Sequence, residues 1–505
     1  MNGPGNVSFS ETFFRLLTGL IGLLFCLLGI GFMTFPDSFA AGFSIQPITV
    51  QGLNSLRGDL GGLFLGMGFF SLLGAGTKRW VWFVVPLLFL LLIIIGRLIS
   101  FSQEGPSVLG VRAVLFEGGL WVLLILSAWV LARRTAAFAP SILKSSDIFQ
   151  PKILILALIV AAITGGLILS QKRVGQRLTP RIAQKVMAAD PLADLPDGLH
   201  VALCGSGSPL PDLRRASACT AVIAGKDLYL VDTGPGSERK LELMRLNPGK
   251  VKAVFLTHFH SDHIGDLGEL MLKRWSGGAR KIPVDVYGPD GVEIVVQGFN
   301  KAYSLDKAYR IQHHGPETVP PGGAGGAART FSFPSGKEEA VVLNEAGLKV
   351  TAFRVDHRPV EPAVGYRFDY KGRSVVISGD TRPVPSLTQQ ARKADLLVIE
   401  ALQPKMVAML KEAANTVGRA NTAKILGDIP SYHTSPEDAA KIAAQAGVGH
   451  LLFTHILPPL PVSDLKAAFL GDVGKLYHGP ITIGEDGMLF GLPAGTQKIQ
   501  RKWLL

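Results

Sequence analysis

The residues most able to do chemistry form one cluster, with His258, His260, Asp262 and His263 directly after the apolar run 251–256. Neutral imidazole and carboxylate are the usual protein ligands of zinc and similar metal ions. If the apolar run is a strand, His258 and His260 point the same way, because side chains two residues apart share a face. Asp262 and His263 then face a second position nearby. The chain has only 11 histidines, so this spacing predicts a two-metal hydrolytic site rather than a His-rich surface loop.

The cluster and the motifs around it resemble the metallo-β-lactamase fold, in particular its ribonuclease Z and arylsulfatase-like branch. The H-x-H-x-D-H pattern after a strand is similar to the signature of that family. The other matching motifs are Leu203 to Pro209, Val231 to Gly234, Asp356-His357 followed by Gly365-Tyr366, Ser378-Gly379-Asp380-Thr381, Tyr432-His433-Thr434-Ser435, and Thr454-His455. The resemblance covers residues 199 to 490 and implies an α/β fold, the αββα sandwich.

The resemblance also implies a set of metal ligands, carried over motif by motif. They are His258, His260 and His357 for a first ion, Asp262, His263 and His455 for a second ion, and Asp380 as a bridge between the two. Two adjacent cations lower the pKa of a bound water and stabilise charge on the attacked centre and the leaving oxygen. The implied chemistry is hydrolysis by a metal-bridging hydroxide. Zinc is the expected ion, and manganese and iron share this ligand set.

Three histidines between the first cluster and Asp380 are candidates for the third ligand of the first ion. His357 ends the apolar run 348–355, as in the family, and is the predicted ligand. His313 and His314 precede a Gly/Pro-rich segment, and we expect them at the surface, with a place in the substrate cleft as the alternative.

Two residues are candidates for proton transfer. The resemblance implies that His433 lies beside the scissile group, where it protonates the leaving oxygen or steadies the developing charge. The alternative is a histidine that only orients a ligand. Asp262 is a candidate base that orients the attacking water, and Asp232 is expected to brace the metal-bearing loop.

The first 170 residues are much more apolar than the rest and predict an all-α transmembrane domain. Five runs have the length and low charge of membrane-crossing helices: Leu16–Met33, Leu53–Gly74, Trp80–Ile99, Val114–Ala132 and Ile153–Ser170. A cleaved signal peptide does not explain several long runs. Arg97 and Glu117 lie within or beside these runs; we expect an ion pair, and a transport or sensing path is the alternative.

The distribution of lysine and arginine predicts the orientation of these spans. With a cytoplasmic N-terminus, the inner segments hold seven basic residues and the outer loops three. Five crossings then place the C-terminal domain outside the cytoplasm, in the periplasm, despite the basic residues that follow the fifth span. The net charge of +12 reflects such flanking residues or attraction to anionic substrates and lipid head groups.

The predicted organisation is a transmembrane domain over residues 1–175, a linker over 176–198 and a hydrolase domain over 199–505. Short apolar strands alternate with helices in the last of these, which fits a layered sandwich. The segment from Pro320 to Arg329 is predicted to be a mobile loop. Cys204 and Cys219 pair if their strands are adjacent and the compartment is oxidising, and two buried thiols are the alternative.

The leading hypothesis is a membrane-anchored hydrolase of a small anionic phosphate or sulfate ester, phosphodiesterase-like or arylsulfatase-like. β-Lactam hydrolysis fits less well, because the Asp380 and His433 motifs indicate the other branch. Charge alone gives little support to nucleic acid as a partner, since no basic stripe is interleaved with aromatic residues, but it does not exclude one. It makes no prediction of an oligomeric state.

Two alternatives belong to other classes. One is a ribonuclease Z-like endoribonuclease that trims tRNA 3′ ends. Against it, Ile399 stands where that branch usually has a histidine, and no tRNA-clamping arm is recognisable between Asp266 and Asp356. The other is a non-enzymatic membrane sensor that binds metal.

Overall fold

The computed structural model describes residues 9–43, 45, 50–104, 108–135, 173, 176–462 and 465–505. The chain divides into two compact units, Met1–Pro180 and Arg181–Leu505. The predicted fifth span, Ile153–Ser170, lies outside the described residues. Residues 176–188 of the predicted linker are helical.

The first unit is helical. Its α-helices are α1 Phe9–Thr34, α2 Pro36–Gly42, α3 Val50–Ser55, α4 Gly62–Thr77, α5 Val84–Glu104 and α6 Val108–Thr135, with a π-helical segment at Leu56–Gly61 and a 3₁₀ turn at Trp80–Phe83. Four stretches are long and apolar enough to cross a membrane: Thr12–Thr34, Gly52–Thr77, Trp80–Phe101 and Gly110–Ala132. Four of the five predicted spans coincide with these helices.

Close helix packing and one ion pair hold the first unit together. A Cβ atom on Gly22 of α1 would lie 3.1 Å from the carbonyl oxygen of Gly68 in α4, and one on Gly68 would lie 2.8 Å from that of Gly22. Only glycine allows two apolar helices to approach so closely. Arg97 donates two hydrogen bonds of 2.7 Å to Glu117, so the predicted ion pair joins α5 to α6.

The second unit is a sandwich of two sheets. Its strands are β1 Gly198–Gly205, β2 Cys219–Ala224, β3 Asp227–Val231, β4 Val251–Phe255, β5 Val284–Gly288, β6 Gly326–Thr330, β7 Glu339–Glu345, β8 Leu348–Arg354, β9 Val364–Tyr370, β10 Arg373–Ile377, β11 Leu396–Leu402, β12 Leu451–Leu457, β13 Ile481–Ile483, β14 Met488–Pro493 and β15 Gln500–Trp503. One sheet has the order β15-β14-β1-β2-β3-β4-β5-β6, and the other has the order β13-β12-β11-β10-β9-β8-β7.

Helices cover the outer faces of both sheets. They are α7 Ser237–Leu243, α8 Ser261–Ile264, α9 Leu267–Gly278, α10 Val292–Ala302, α11 Ser304–His314, α12 Pro385–Gln390, α13 Pro404–Thr416, α14 Ala420–Asp428, α15 Pro436–Ala446, α16 Leu465–Leu470 and α17 Val473–Leu476. One apolar cluster fills the space between the sheets, and two others lie between a sheet and its helices. This arrangement confirms the predicted αββα sandwich.

The strand sequences explain the layers. In β1, Val201 and Leu203 enter the cluster between the sheets, whereas Ala202 and Cys204 enter the cluster under the helices. Side chains alternate across a strand, so a strand that is apolar at every position is buried on both faces. The hydroxyl of Tyr366 in β9 donates a 2.6 Å hydrogen bond to the carbonyl of Leu256, which ties the two sheets together beside the histidine cluster.

The prediction of a mobile loop from Pro320 to Arg329 is wrong. This segment makes a 3₁₀ turn at Pro321–Gly323 and then forms β6, which pairs in parallel with β5. The side chain of Asn300 in α10 holds the start of the strand, because it bonds both the N–H and the carbonyl of Gly326. The Gly/Ala composition has no periodicity of its own, so the sequence pattern gave no sign of this pairing.

Candidate metal centre

The predicted site residues converge where strands of both sheets end. His258 and His260 follow β4, and Asp262 and His263 lie in the short helix α8. The remaining residues come from the second sheet: His357 after β8, Asp380 after β10, His433 before α15 and His455 within β12. All of these residues except His260 are almost fully buried.

Three imidazole nitrogens meet at the first predicted position. The Nε2 atom of His258 lies 3.0 Å from Nδ1 of His260, and that Nδ1 lies 3.4 Å from Nε2 of His357. A neutral imidazole offers one lone pair and one N–H, so this contact cannot satisfy all three rings by hydrogen bonds alone. A cation at the common point fits the three lone pairs.

Two histidines and two carboxylates meet at the second predicted position. His455 Nε2 lies 3.2 Å from Asp262 Oδ2 and 3.3 Å from Asp380 Oδ2, and His263 Nε2 lies 3.4 Å from Asp380 Oδ1. Asp380 Oδ2 also lies 3.9 Å from His357 Nε2 at the first position. The carboxylate of Asp380 therefore lies between the two sets, as a bridging ligand would.

The donor atoms fit a pair of cations. Among the described residues, His263 Nε2 and Asp380 Oδ1 are buried and lie 3.4 Å from each other without forming a well-aligned hydrogen bond, although buried polar atoms are normally satisfied. The donors of His258, His260 and His357 lie within 4.8 Å of one another, as do those of Asp262, His263 and His455. Each position thus offers three protein ligands plus Asp380, the number that a divalent site of this kind uses.

Burial keeps the first set of histidines neutral. Burial lowers the pKa of His258 well below its usual value, and the neighbouring His263 lowers it further. Burial likewise lowers the pKa of His357 to about 4. Metal ligation requires unprotonated imidazole, so these rings are ready to bind a cation at neutral pH without losing a proton.

The residues at the second predicted position include carboxylates, whose negative charge would offset that of bound cations. Burial would raise the pKa of Asp380, but the positive charges of His455 and His263 outweigh burial and lower it well below its usual value. Burial would lower the pKa of His263, but Asp380 and Asp232 outweigh it and raise that pKa well above the usual value. In the protein alone, charge on histidine thus balances charge on aspartate, and bound cations would take over that role.

His455 reaches the site through an irregularity in its strand. The pairing of β11 with β12 shifts by one residue between Glu400 and Ala401, so His455 has no partner residue in β11. Its φ of 47° lies in the left-handed region, which is unfavourable for a residue with a side chain. Such bulges re-aim side chains next to functional sites, and this one directs the imidazole toward Asp262 and Asp380.

Asp232 braces the turn that carries the first histidines. Its carboxylate accepts 2.8 Å hydrogen bonds from the N–H and the hydroxyl of Thr257, and it lies 2.8 Å from Nδ1 of His263. Such a contact fixes the tautomer of His263 so that Nε2 is free for a metal ion.

We expect Asp232→Asn to weaken metal binding by about 10-fold to 100-fold, because the amide keeps the shape of the brace but loses the charged acceptor for His263. Competition with a zinc chelator measures the change. The matched control is Asp227→Asn on the same strand, whose side chain pairs with Lys252 at the surface. Affinities that agree within twofold between Asp232→Asn and the unmodified protein would show that the brace is not needed.

His433 is backed by a carboxylate to which the sequence assigned no role. Nδ1 of His433 lies 3.0 and 2.9 Å from the two oxygens of Glu400, and 4.0 Å from Asp380 Oδ2. Glu400 is 1% exposed and also accepts a 2.7 Å hydrogen bond from the N–H of Thr381. With Nδ1 donating to Glu400, Nε2 is the ring atom left to exchange a proton. The signal in the sequence was one acid in the apolar strand Leu396–Leu402.

Asp356, which is bonded by two arginines, joins two of the loops that carry site residues. Arg382, two residues after Asp380, and Arg358, next to His357, both bond the carboxylate of Asp356. They hold the pKa of that carboxyl well below its usual range, with Arg358 contributing most. The sequence gave no indication of this connection.

The remaining predicted residues lie away from the centre or behind it. His313 and His314 end α11 and are exposed, so neither joins the ligand set. Cys204 and Cys219 form a disulfide between β1 and β2. Cys219 lines a cavity of about 20 Å³ together with Asp232 and His263, so the disulfide lies close to the predicted metal ligands.

Comparison with known proteins finds relatives for the second unit. Residues 228–456 match the beta-lactamase superfamily domain. Ribonuclease Z of Mycobacterium avium (strain 104) is 34% identical over 290 residues, which are 57% of this chain and 96% of the relative. Ribonuclease Z of Mycolicibacterium gilvum (strain PYR-GCK) is 37% identical over 267 residues, 52% of this chain and 85% of the relative.

The solved structures that resemble this chain share less of its sequence. The short form of human tRNase Z has 20% identity and a TM-score of 0.43, over 58% of this chain and 98% of that chain. The metallo-beta-lactamase fold protein YhfI from Bacillus subtilis also has 20% identity, with a TM-score of 0.42 over 58% of this chain and 98% of that chain.

Proposed function

We propose that this member of the metallo-β-lactamase superfamily, from its ribonuclease Z-like branch, is a membrane-anchored phosphodiesterase with two metal ions. A metal-dependent hydrolase is the activity of this family. The ester, the number of ions and the roles of single residues are our proposal. The observation that carries it is the position of the His433–Glu400 pair beside Asp380, which lies between two complete ligand sets.

The ligand sets and the residues around them would have different roles in hydrolysis. Two divalent cations in these sets would supply Lewis acidity, which activates a water and neutralises charge on the ester. Asp262 is buried between His263 and His455, where its carboxylate can orient the attacking water. His433 would donate the Nε2 proton to the leaving oxygen while Glu400 shares a proton with Nδ1. Burial lowers the pKa of His433 and raises that of Glu400, so the pair would hold this proton between its members rather than as two separated charges.

A phosphate diester fits this arrangement better than an acyl centre does. A phosphate diester carries a negative charge that two adjacent cations would neutralise, whereas an acyl ester carries none. The buried His433–Glu400 pair would supply a proton to the leaving alkoxide. Sulfate esters have the same tetrahedral geometry at the attacked atom, so we expect them to be hydrolysed as well, but more slowly.

The proposal is tested on the purified full chain by metal analysis together with a panel of esters. We expect two divalent ions per chain and turnover of bis-p-nitrophenyl phosphate above that of p-nitrophenyl phosphate, p-nitrophenyl sulfate and p-nitrophenyl acetate. A preparation that holds two ions and turns over only the acetate would contradict it.

RNA processing is the second candidate, and the names of the relatives favour it: two ribonucleases Z align over most of their own length. These relatives also count against our expectation, drawn from the charge pattern, which gave little support to a nucleic acid partner. It predicts cleavage of a precursor tRNA with a 3′ extension, and an affinity that falls steeply with salt. The same purified chain serves for this assay.

The disulfide supports the proposal that the catalytic unit lies outside the cytoplasm. Disulfides persist in oxidising compartments and are rare in the cytosol. Cys204 and Cys219 are bonded to each other, whereas Cys26 is a free thiol in the first unit.

We expect one of the three cysteines to react with a maleimide when the full chain, taken from membranes, is denatured without reductant. All three should react after reduction. Mass spectrometry counts the added groups, and Cys26→Ser is the control that should leave none before reduction. Three reactive thiols before reduction would place the unit in a reducing compartment.

A further inference from the structure

A second cavity lies apart from the metal-binding residues, between α9, α10 and the start of α11. Its volume is about 280 Å³. Met271 and Trp275 of α9 and Phe299 of α10 form apolar walls, and Tyr303 closes one side. Ligand sites in proteins are typically concave, mostly apolar and about 300 to 1,000 Å³ in size, so this cavity suits a compact ligand.

Two of the polar side chains that line the cavity are held by hydrogen bonds to the backbone. The indole N–H of Trp275 donates a 2.7 Å hydrogen bond to the carbonyl of Pro320, and the amide of Asn300 is used by the backbone of Gly326. Lys307, which lines the cavity, has no hydrogen-bond or ion-pair partner for its ammonium group among the residues that the structure describes.

The nearest acid in sequence does not neutralise Lys307. The carboxylate of Asp306 accepts a 2.7 Å hydrogen bond from Arg310, one turn further along α11. The cavity therefore combines apolar walls with one uncompensated positive charge. An apolar group with an anionic end satisfies both features.

We propose that this cavity binds an amphiphilic anion, a short alkyl chain or single ring that ends in a carboxylate or a phosphate. The apolar part lies against Trp275 and Phe299, and the anionic end pairs with Lys307. The inference concerns binding and does not depend on the ester that the metal centre hydrolyses.

The cavity is connected to the metal centre through the helices that form it. α9 begins three residues after α8, which carries Asp262 and His263. A Cβ atom on Gly291, at the start of α10, would lie 3.1 Å from the ring of Phe259, between His258 and His260. Both helices thus start close to the turn that carries His258 and His260.

Photolabelling of the full chain in lipid nanodiscs tests the proposal. The probe is decanoate that carries an aliphatic diazirine, and labelled peptides are identified by mass spectrometry. We expect labels within α9 to α11, displaced by unlabelled decanoate and more weakly by decanol. Displacement by decyl phosphate at lower concentration than by decanoate would identify phosphate as the preferred end, and the reverse order would identify carboxylate.

Lys307→Ala should weaken displacement by decanoate about tenfold, as expected for the loss of one charged hydrogen bond, and should remove the preference for decanoate over decanol. The matched control is Lys301→Ala, an exposed lysine near the end of α10 that does not line the cavity. The absence of displaceable label within α9 to α11, or equal displacement in Lys307→Ala and Lys301→Ala, would overturn the proposal.

Discussion

Asp380→Ala is expected to lower kcat/KM for bis-p-nitrophenyl phosphate by roughly 1,000-fold or more. Asp380 touches ligands of both predicted ions: its carboxylate lies within 3.3 to 3.4 Å of His455 and His263 and 3.9 Å from His357. No other carboxylate among the described residues contacts both sets. Its removal takes a ligand from each ion and also removes negative charge that offsets the cations. Metal content should fall below two ions per chain in the same preparation.

The control for this variant is Asp369→Ala in β9, an aspartate of the same sheet that pairs with Arg367 at the surface. It should retain activity within about twofold, since surface changes away from a site have small effects. A folded Asp380→Ala protein with unchanged turnover would remove Asp380 from the centre.

His433→Ala is expected to lower kcat most for substrates whose leaving group must be protonated. A dinucleoside phosphodiester releases an alkoxide, and we expect its kcat to fall by about 100-fold to 10,000-fold. p-Nitrophenolate leaves without a proton, so the loss with bis-p-nitrophenyl phosphate should be about tenfold at most. The comparison of two substrates in one variant separates proton donation from folding, because a misfolded protein loses both activities.

Glu400→Gln serves as the companion variant. Glutamine keeps the size of the side chain and a hydrogen bond to His433 but removes the acid that would share a proton with Nδ1. We expect the same order of substrates and a smaller loss. Equal losses with both substrates in His433→Ala would mean that His433 positions the ester or steadies charge, and that the proton comes from elsewhere.

The motifs predicted the metal ligands because the family signature combines several histidines and aspartates, and few other kinds of protein site require that combination. His258, His260, Asp262 and His263 lie on one turn, so their spacing alone predicted a common site. His357, Asp380 and His455 are far from that turn in sequence, and only the resemblance connected them. The structure brings all seven together, and their roles as metal ligands remain our proposal.

The features that the sequence did not predict depend on tertiary contacts. The bulge that aims His455 requires the pairing of β11 with β12, which no local pattern specifies. Glu400 was visible as an acid in an apolar strand, but its contact with His433 needed the fold. The strand β6 was assigned to a loop because its Gly/Ala sequence has low strand propensity, and pairing with β5 overrides that propensity. The sequence left undecided whether Cys204 and Cys219 form a disulfide, because it does not show which strands are adjacent.

Anomalous X-ray diffraction from crystals of the full chain grown with zinc tests the central claim most directly. The account predicts two anomalous peaks about 3.5 to 4 Å apart, one against His258, His260 and His357 and the other against Asp262, His263 and His455, with Asp380 between them. A single peak that leaves one of these sets without an ion, or peaks elsewhere in the chain, would contradict it.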